Sequence, residues 1–274
     1  MIVIGEKINS TRKKIKEALN EKRLDILMEE ALGQLSCGAE YIDINTATGI
    51  ARERADLIWL LQNIQDKFDC SLSIDSPDPS IVKEAIKLCG KKPFVNSITG
   101  EASRLTLLND FMAQRECFII ILAMDDDGMP SDVAGRVSIA EKIIAFADSQ
   151  GIDKNNIFID PLVKPISTEP EQAVFFLDTI KILKDKGIRS TGGLSNVSFG
   201  LPRRDLLNAV FIKLALDAGI DAAIIDPTQT IVKDSIGGKK MPEKIFLLAK
   251  NAILGRDAYS MDYIKAFREG RLDF

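Results

Sequence analysis

The chain has 274 residues and not one histidine. Histidine is the usual general acid or base near neutral pH and the commonest side-chain metal ligand. Without it a Ser-His-Asp triad, a Cys-His dyad and a histidine-based zinc site are all excluded. Long apolar stretches are missing too. The longest, 117–124 (CFIIILAM), runs for about eight residues, against roughly 20 for a bilayer crossing. Cysteine is sparse: Cys37, Cys70, Cys89 and Cys117 are scattered, with no CxxC pair, as expected of buried thiols in a reducing cytoplasm. There is no basic excess. A net charge of −4 offers no positive face to a phosphate backbone, so nucleic acid is not an expected partner. No linker, low-complexity tract or solenoid repeat interrupts the chain, and no leader is expected ahead of the apolar run that starts at Ile2. With 46% hydrophobic and 28% charged residues, the composition is that of a globular cytoplasmic protein.

What is present is a rhythm of eight short apolar runs. They are 2–6 (IVIGE), 41–45 (YIDIN), 72–76 (LSIDS), 94–97 (FVNS), 117–124, 157–160 (IFID), 193–196 (GLSN) and 222–226 (AAIID). Each gap between them holds a loop and a helix. Apolar runs buried on both faces and alternating with helices indicate a parallel sheet. Eight such units in 274 residues predict one (β/α)8 TIM barrel, with 1–274 as a single domain. Active sites of that fold lie at the C-terminal ends of the strands. Those ends present Glu6, Asn9, Asp43, Asn45, Asp75, Asn96, Asp160, Asn196 and Asp226.

Helices are predicted over 13–19, 24–37, 52–68, 78–88, 104–114, 132–150, 170–186, 204–219, 242–254 and 261–267. Gly38 suits a helix C-cap, and Asp78 or Ser80 an N-cap with Pro79 in the first turn. In 52–68 the expected buried face is Ala55, Ile58, Trp59, Leu61 and Ile64. Three connections that follow strands, 125–135, 161–171 and 227–241, are long or rich in glycine and proline. All three belong on the active-site face, where loops build ligand sites.

A ring of carboxylates alone would suggest Mg²⁺ or Ca²⁺. Asp75 and Asp160 alternate with Asn96 and Asn196, however, and amides donate as well as accept. That mixture suits a flat heterocycle with a donor–acceptor edge, such as a pterin, whose 2-amino group and N3–H can meet one carboxylate in a bidentate pair. Spacing alone leaves an enolase-type magnesium site open.

Two segments narrow the choice: Gly5-Glu6-Lys7-Ile8-Asn9 and Gly193-Leu194-Ser195-Asn196-Val197-Ser198-Phe199-Gly200. With Ser73-Ile74-Asp75-Ser76, Val95-Asn96-Ser97 and Phe158-Ile159-Asp160-Pro161, they resemble the methyltetrahydrofolate:corrinoid protein methyltransferases. These are pterin-binding barrels similar to the folate domain of cobalamin-dependent methionine synthase. The resemblance covers nearly the whole chain. It implies that Asp160 holds the 2-amino/N3 edge, that Asp75 and Asn96 complete the ring's hydrogen bonds, and that Gly193 and Ser195 shape the pocket. Asn196 would face N5, the methyl-bearing atom, and act as the catalytic residue. Glu6, Asn9, Asp43 and Asn45 would support these contacts from behind. The implied substrates are tetrahydrofolate or 5-methyltetrahydrofolate and a corrinoid. With no histidine to sit under cobalt, the corrinoid must ride on a separate protein that docks at the barrel mouth through 125–135 and 227–241. No protein-bound metal is expected, a homodimer is, and Lys239, Lys240 or Arg203 would meet the glutamate tail of folate. The rivals are dihydropteroate synthase, disfavoured because 224–227 (IIDP) carries no His or Arg, a Schiff-base aldolase, disfavoured because no run ends on lysine, and a non-catalytic folate-binding barrel.

Overall fold

The structure is a computed structural model that describes residues 1–47, 49 and 52–274. Among the described residues seven parallel strands form the sheet: β1 (Ile2–Asn9), β2 (Tyr41–Asn45), β3 (Ser71–Asp75), β4 (Phe94–Thr99), β5 (Phe118–Leu122), β6 (Ile157–Asp160) and β7 (Ala222–Ile225). They pair in the order β6-β5-β4-β3-β2-β1-β7. The two open edges, β6 and β7, are joined by the segment 189–193. Ile159 N–H donates to the Arg189 carbonyl and Thr191 N–H to the Ile159 carbonyl, both at 2.9 Å. On the other side Ala222 and Ile224 N–H donate to the carbonyls of Ser190 and Gly192 at 3.1 and 3.0 Å. The cylinder therefore closes, as expected for a TIM barrel.

The position of the stave that closes the barrel differs from expectation. Residues 193–196 were expected to be strand, but Leu194–Ser198 is a 3-10 turn and the bridging residues lie just before it. Gly192 explains the offset. A Cβ there would fall 2.7 Å from the Phe176 ring and 3.3 Å from Asp160 Oδ1, so only a bare backbone passes between them.

Period-2 alternation sorts the strand residues. Ile4, Phe94, Ile120, Phe158, Ala222 and Ile224 pack together inside the cylinder, with Ile2, Tyr41 and Phe118 against them. The Phe94 ring lies 4.8, 4.9 and 5.0 Å from Tyr41, Phe118 and Phe158, in the edge and tilted geometries aromatic pairs favour. Their strand neighbours, among them Ile42, Ile44, Ile74, Val95, Ile119, Ile121 and Ile159, face the helices in a second, larger core. One inward step above the aromatic floor come Glu6, Asp43, Asp75, Asn96, Asp160 and Asp226. The barrel is thus apolar at its base and acidic at its mouth.

The helices follow the predicted positions, with informative differences. Asp78 caps Pro79–Leu88 by accepting from Ser80 N–H, and Asp132 caps Val133–Ser149 through Gly135 N–H. In Glu53–Lys67 the buried face is Leu57, Leu60, Leu61 and Ile64, together with Glu53 and Asp56. Ala55 faces solvent. Two acids displace it from the core because each finds a partner: Glu53 accepts from Ser76 Oγ and Asp56 from Lys22 Nζ. Trp59 is half-buried with Lys22 Nζ over its ring at 4.1 Å. The region 104–114 divides into Ala102–Leu105 and Leu107–Gln114, and the connection 227–241 contains a helix of its own, Thr230–Ile236.

Candidate active site

At the C-terminal mouth the strand ends enclose a cavity of about 610 Å³. Glu6, Asn9, Asp43, Asp75, Asn96, Asp160, Gly193, Ser195 and Asn196 all line it. Strand register gathers them: Asn9, Asn45, Asp75 and Asn96 stand opposite one another on β1 to β4, and Asp160 stands opposite Leu122 on β6. Asn45 is the one anticipated residue that does not reach the cavity. Its Nδ2 donates to Asp75 Oδ2 at 3.0 Å while its Oδ1 accepts from Ser10 Oγ at 2.7 Å, so it braces Asp75. Asp43, expected in the same supporting role, instead lies in the wall.

On the β2–β4 side, Asp43 Oδ1 accepts from Ser73 Oγ at 2.6 Å and from Asn96 Nδ2 at 3.1 Å. That bond fixes the amide of Asn96 in the cavity lining. Burial, then the charge of Asp75, pushes Asp43 well above the ordinary carboxylate range. Burial also raises Asp75, against the pull of Asn45. The two titrate as a pair.

Asp160 is almost wholly buried. Burial lifts its pKa to about 6, while the N–H groups of Leu162 and Gly193 and the Arg136 guanidinium pull it back. Leu162 N–H donates to Asp160 Oδ1 at 2.7 Å from a left-handed backbone, φ 64°. That conformation is clamped from beneath. Arg136, fully buried, donates to the Leu162 carbonyl at 3.0 Å and to Gln172 Oε1 at 2.6 Å.

The opposite wall comes from β1, β7 and the turn at Leu194–Ser198. Lys7 N–H donates to Gln34 Oε1 at 2.9 Å, and Gln34 sits where a Cβ on Gly5 would be. The glycine lets β1 bulge between Gly5 and Ile8, which sets Glu6 at the wall. Ser195 Oγ donates to Glu6 Oε1 at 2.8 Å. Arg204 holds the turn by donating to the Ser195 carbonyl at 2.8 Å and to Ser198 Oγ at 3.0 Å, leaving the Asn196 side chain exposed at the mouth. Six further residues line the cavity that sequence reasoning had not placed there: Thr11, Arg12, Arg204, Asn208, Ile224 and Gln229. Asp226, noted only as a strand end, lines it too. Arg12 follows Asn9 by three residues and Arg204 opens a helix; neither position has a signature in a single sequence.

Of the basic residues expected at a folate tail, Arg203 is occupied by Asp205, Asp273 and the Leu272 carbonyl, and Lys239 pairs with Asp234. They line a neighbouring cavity with Lys240. Cys70, Cys89 and Cys117 are buried, and burial pushes the thiols of Cys89 and Cys117 up to about 12. No group of three or more His, Cys, Asp or Glu is arranged to hold a metal ion among the described residues.

The raised acids affect stability. Glu6, Asp43, Asp75 and Asp160 have folded pKa values above their unfolded ones. Their contribution is complete below the unfolded values, roughly 4, and is lost as pH rises through the folded ones, about 6 for Asp160 and about 7 for Glu6. The fold binds protons that the unfolded chain releases. The thermal midpoint of the ligand-free protein is therefore expected to rise when pH is lowered from about 8 to about 5.5. Asp43→Asn is expected to raise the midpoint at pH 8 and flatten this dependence. Scanning calorimetry that found a midpoint falling over that interval would contradict the assignment.

The sequence profile of the pterin binding enzymes matches residues 5–226, from the Gly5 bulge to Asp226. The chain belongs to that family. The methylcorrinoid:tetrahydrofolate methyltransferase of Eubacterium limosum is 34% identical over 276 residues, spanning 99% of this chain and 98% of that protein. The methionine synthase of Mycobacterium leprae (strain TN) is 28% identical over 250 residues, which are 84% of this chain but 20% of that longer protein. Among solved structures, dihydropteroate synthase from Xanthomonas albilineans in complex with 7,8-dihydropteroate has a TM-score of 0.64 at 19% identity, covering 86% of this chain and 91% of that one. Dihydropteroate synthase from Stenotrophomonas maltophilia with active site-bound imidazole has 0.66 at 15%, covering 86% and 90%. At these identities the synthases share the pterin-binding barrel with this chain, which says nothing of a shared reaction. No helix among the described residues is long and apolar enough to cross a membrane.

Proposed function

We propose that this pterin-binding barrel moves a methyl group between N5 of tetrahydrofolate and the cobalt of a corrinoid carried by a separate protein. One observation carries the reading. Asp75, Asn96 and Asp160 line a single cavity together with the Ser195–Asn196 turn, so one flat ring would have its donor edge on the acids and its reactive nitrogen beside an amide. The relative aligned over nearly the whole chain supports the same chemistry.

Asp160, as a carboxylate, takes the 2-amino/N3 edge, and Asp75 and Asn96 meet the remaining ring donors. Asp43 sets the Asn96 amide and Asn45 holds Asp75. Gly193 and Ser195 let the ring approach the backbone, and Asn196 faces N5. Asn9 stands at the rim. Arg12 and Arg204, exposed at the mouth, suit the carboxylates of the folate tail better than the paired Arg203 and Lys239. The corrinoid, a substrate brought by its carrier, would approach over the exposed Asn196, with 125–135 and 227–241 as the docking rim. We place the protein in the cytoplasm as a homodimer, with 1–274 acting as one domain.

The test mixes the protein with Co(I) cobalamin and 5-methyltetrahydrofolate and follows the visible spectrum. Enzyme-dependent formation of methylcobalamin is expected, as is the reverse transfer from methylcobalamin to tetrahydrofolate. Absence of acceleration in both directions would overturn the reading.

A further inference from the structure

We propose that Glu6 exchanges the N5 proton during methyl transfer, with the Ser195 hydroxyl as the relay. This rests on the methyl-transfer reading and supplies what an amide cannot, since Asn196 can polarise N5 but has no proton to give at neutral pH.

The balance of the reaction requires such a group. In one direction the N5 lone pair of tetrahydrofolate attacks the methyl carbon, and the carbon–cobalt bond breaks with both electrons left on cobalt. N5 then carries four substituents, one of them the original hydrogen, and that proton must leave to give neutral 5-methyltetrahydrofolate. Ser195 Oγ receives it and passes its own proton to the Glu6 carboxylate. In the opposite direction the same path runs backwards: the Glu6 carboxyl supplies the proton that makes N5 a leaving group, and Co(I) takes the methyl. Microscopic reversibility makes the acid of one direction the base of the other.

The geometry singles out Glu6 among the acids. It is the acid bonded to a side chain of the turn that carries Asn196, lying 2.8 Å from the hydroxyl of Ser195, whereas Asp160 meets that segment through the backbone N–H of Gly193 and Asp75 is bound by Asn45. Its wall is rich in acceptors. Asp226 lies close enough to act on its charge, and Asn208 Oδ1 and Gln229 Oε1 are buried there with no donor among the described residues. Such a wall favours a proton on Glu6. Burial first, and Asp226 less, raise Glu6 to about 7, against the Ser195 bond and the cations Arg12 and Arg204; Asp43 also feels its charge. A carboxyl near 7 is matched to proton exchange in both directions.

The experiment compares wild type, Glu6→Gln and Ser195→Ala in single-turnover transfer from 5-methyltetrahydrofolate to Co(I) cobalamin between about pH 5.5 and 8.5, with tetrahydrofolate affinity measured by calorimetry. The wild-type rate is expected to fall as pH rises through about 7. Glu6→Gln, which keeps an acceptor for Ser195, is expected to lose roughly 10²-fold or more in rate, to lose the pH inflection, and to bind tetrahydrofolate normally. Ser195→Ala, with the carboxyl intact, is expected to lose rate as well. A Glu6→Gln enzyme with wild-type rate and an unchanged inflection would overturn the proposal while leaving methyl transfer standing. Inactivity of the wild type in both directions would instead refute the reading beneath it.

Discussion

Asn196→Ala is expected to bind tetrahydrofolate almost as tightly as the native protein and to transfer methyl roughly 10²-fold more slowly, the usual loss for one donor aimed at developing charge. The separation of the two effects follows from where the residue sits. Its side chain is exposed, and the turn that carries it is held by others: Arg204 bonds the Ser195 carbonyl and Ser198 Oγ, and Asn196 itself contributes backbone groups, its N–H donating to the Gly193 carbonyl and its carbonyl accepting from Phe199 N–H. Truncation therefore removes an amide without loosening the turn. Ground-state binding belongs to Asp75, Asn96 and Asp160, so little affinity is lost. The amide matters when N5 changes charge, and an interaction that strengthens only then appears in the rate and not in the binding constant. Stopped-flow spectra of cobalt conversion, set beside calorimetry on the same variant, measure both numbers. An unchanged transfer rate would remove Asn196 from the chemistry.

Much of this arrangement is legible in the sequence because a TIM barrel writes its pattern twice. Six of the eight staves are apolar runs with an inward acid or amide at the end, a seventh, β5, is apolar throughout, and the period of two that puts Ile4 and Phe158 in the interior also puts Glu6 and Asp160 at the mouth. The remaining stave is Arg189 to Gly193. It is polar and glycine-rich, it is held by neighbours' backbone groups, and nothing in its side chains announces a strand. Reading GLSN as that strand misplaces the segment by a few residues while still finding the residues that line the cavity. The distinction between Asp43 and Asn45 is similar. Both face inward on β2, and only the hydrogen bond from Asn45 to Asp75 decides that one braces and the other lines. Arg12, Arg204, Asn208 and Gln229 come from turns and helices whose register against the barrel is a property of packing, so periodicity is silent about them. The helix face with Ala55 failed for a related reason: Glu53 and Asp56 are buried because partners on other elements meet them, and a hydrophobic pattern counts no partners.

Asp160→Asn is expected to weaken tetrahydrofolate binding by roughly 10- to 150-fold, the equivalent of about 1.5–3 kcal/mol for a hydrogen bond to a charged group. The substitution is nearly isosteric, and its carbonyl oxygen can still accept from Leu162 N–H, so the left-handed turn above Arg136 keeps its support. What goes is the charge, and with it one of the two acceptors that the paired donors of the pterin need. An amide must turn an N–H towards one of them. The fold does not depend on that charge: the carboxyl titrates near 6 because burial disfavours its ionised form, so removing it costs no stability at neutral pH. Affinity in the native protein has the opposite preference, since the ring's donors require the carboxylate. Native binding is thus expected to weaken as pH falls through about 6 and below, with bound pterin holding the ionised form to lower pH than in the free protein. In Asp160→Asn that dependence shrinks to the residue left by Asp75. Calorimetric titrations at several pH values decide the matter, and native affinity in the variant at pH 7.5 would mean that the pterin edge rests elsewhere on the wall.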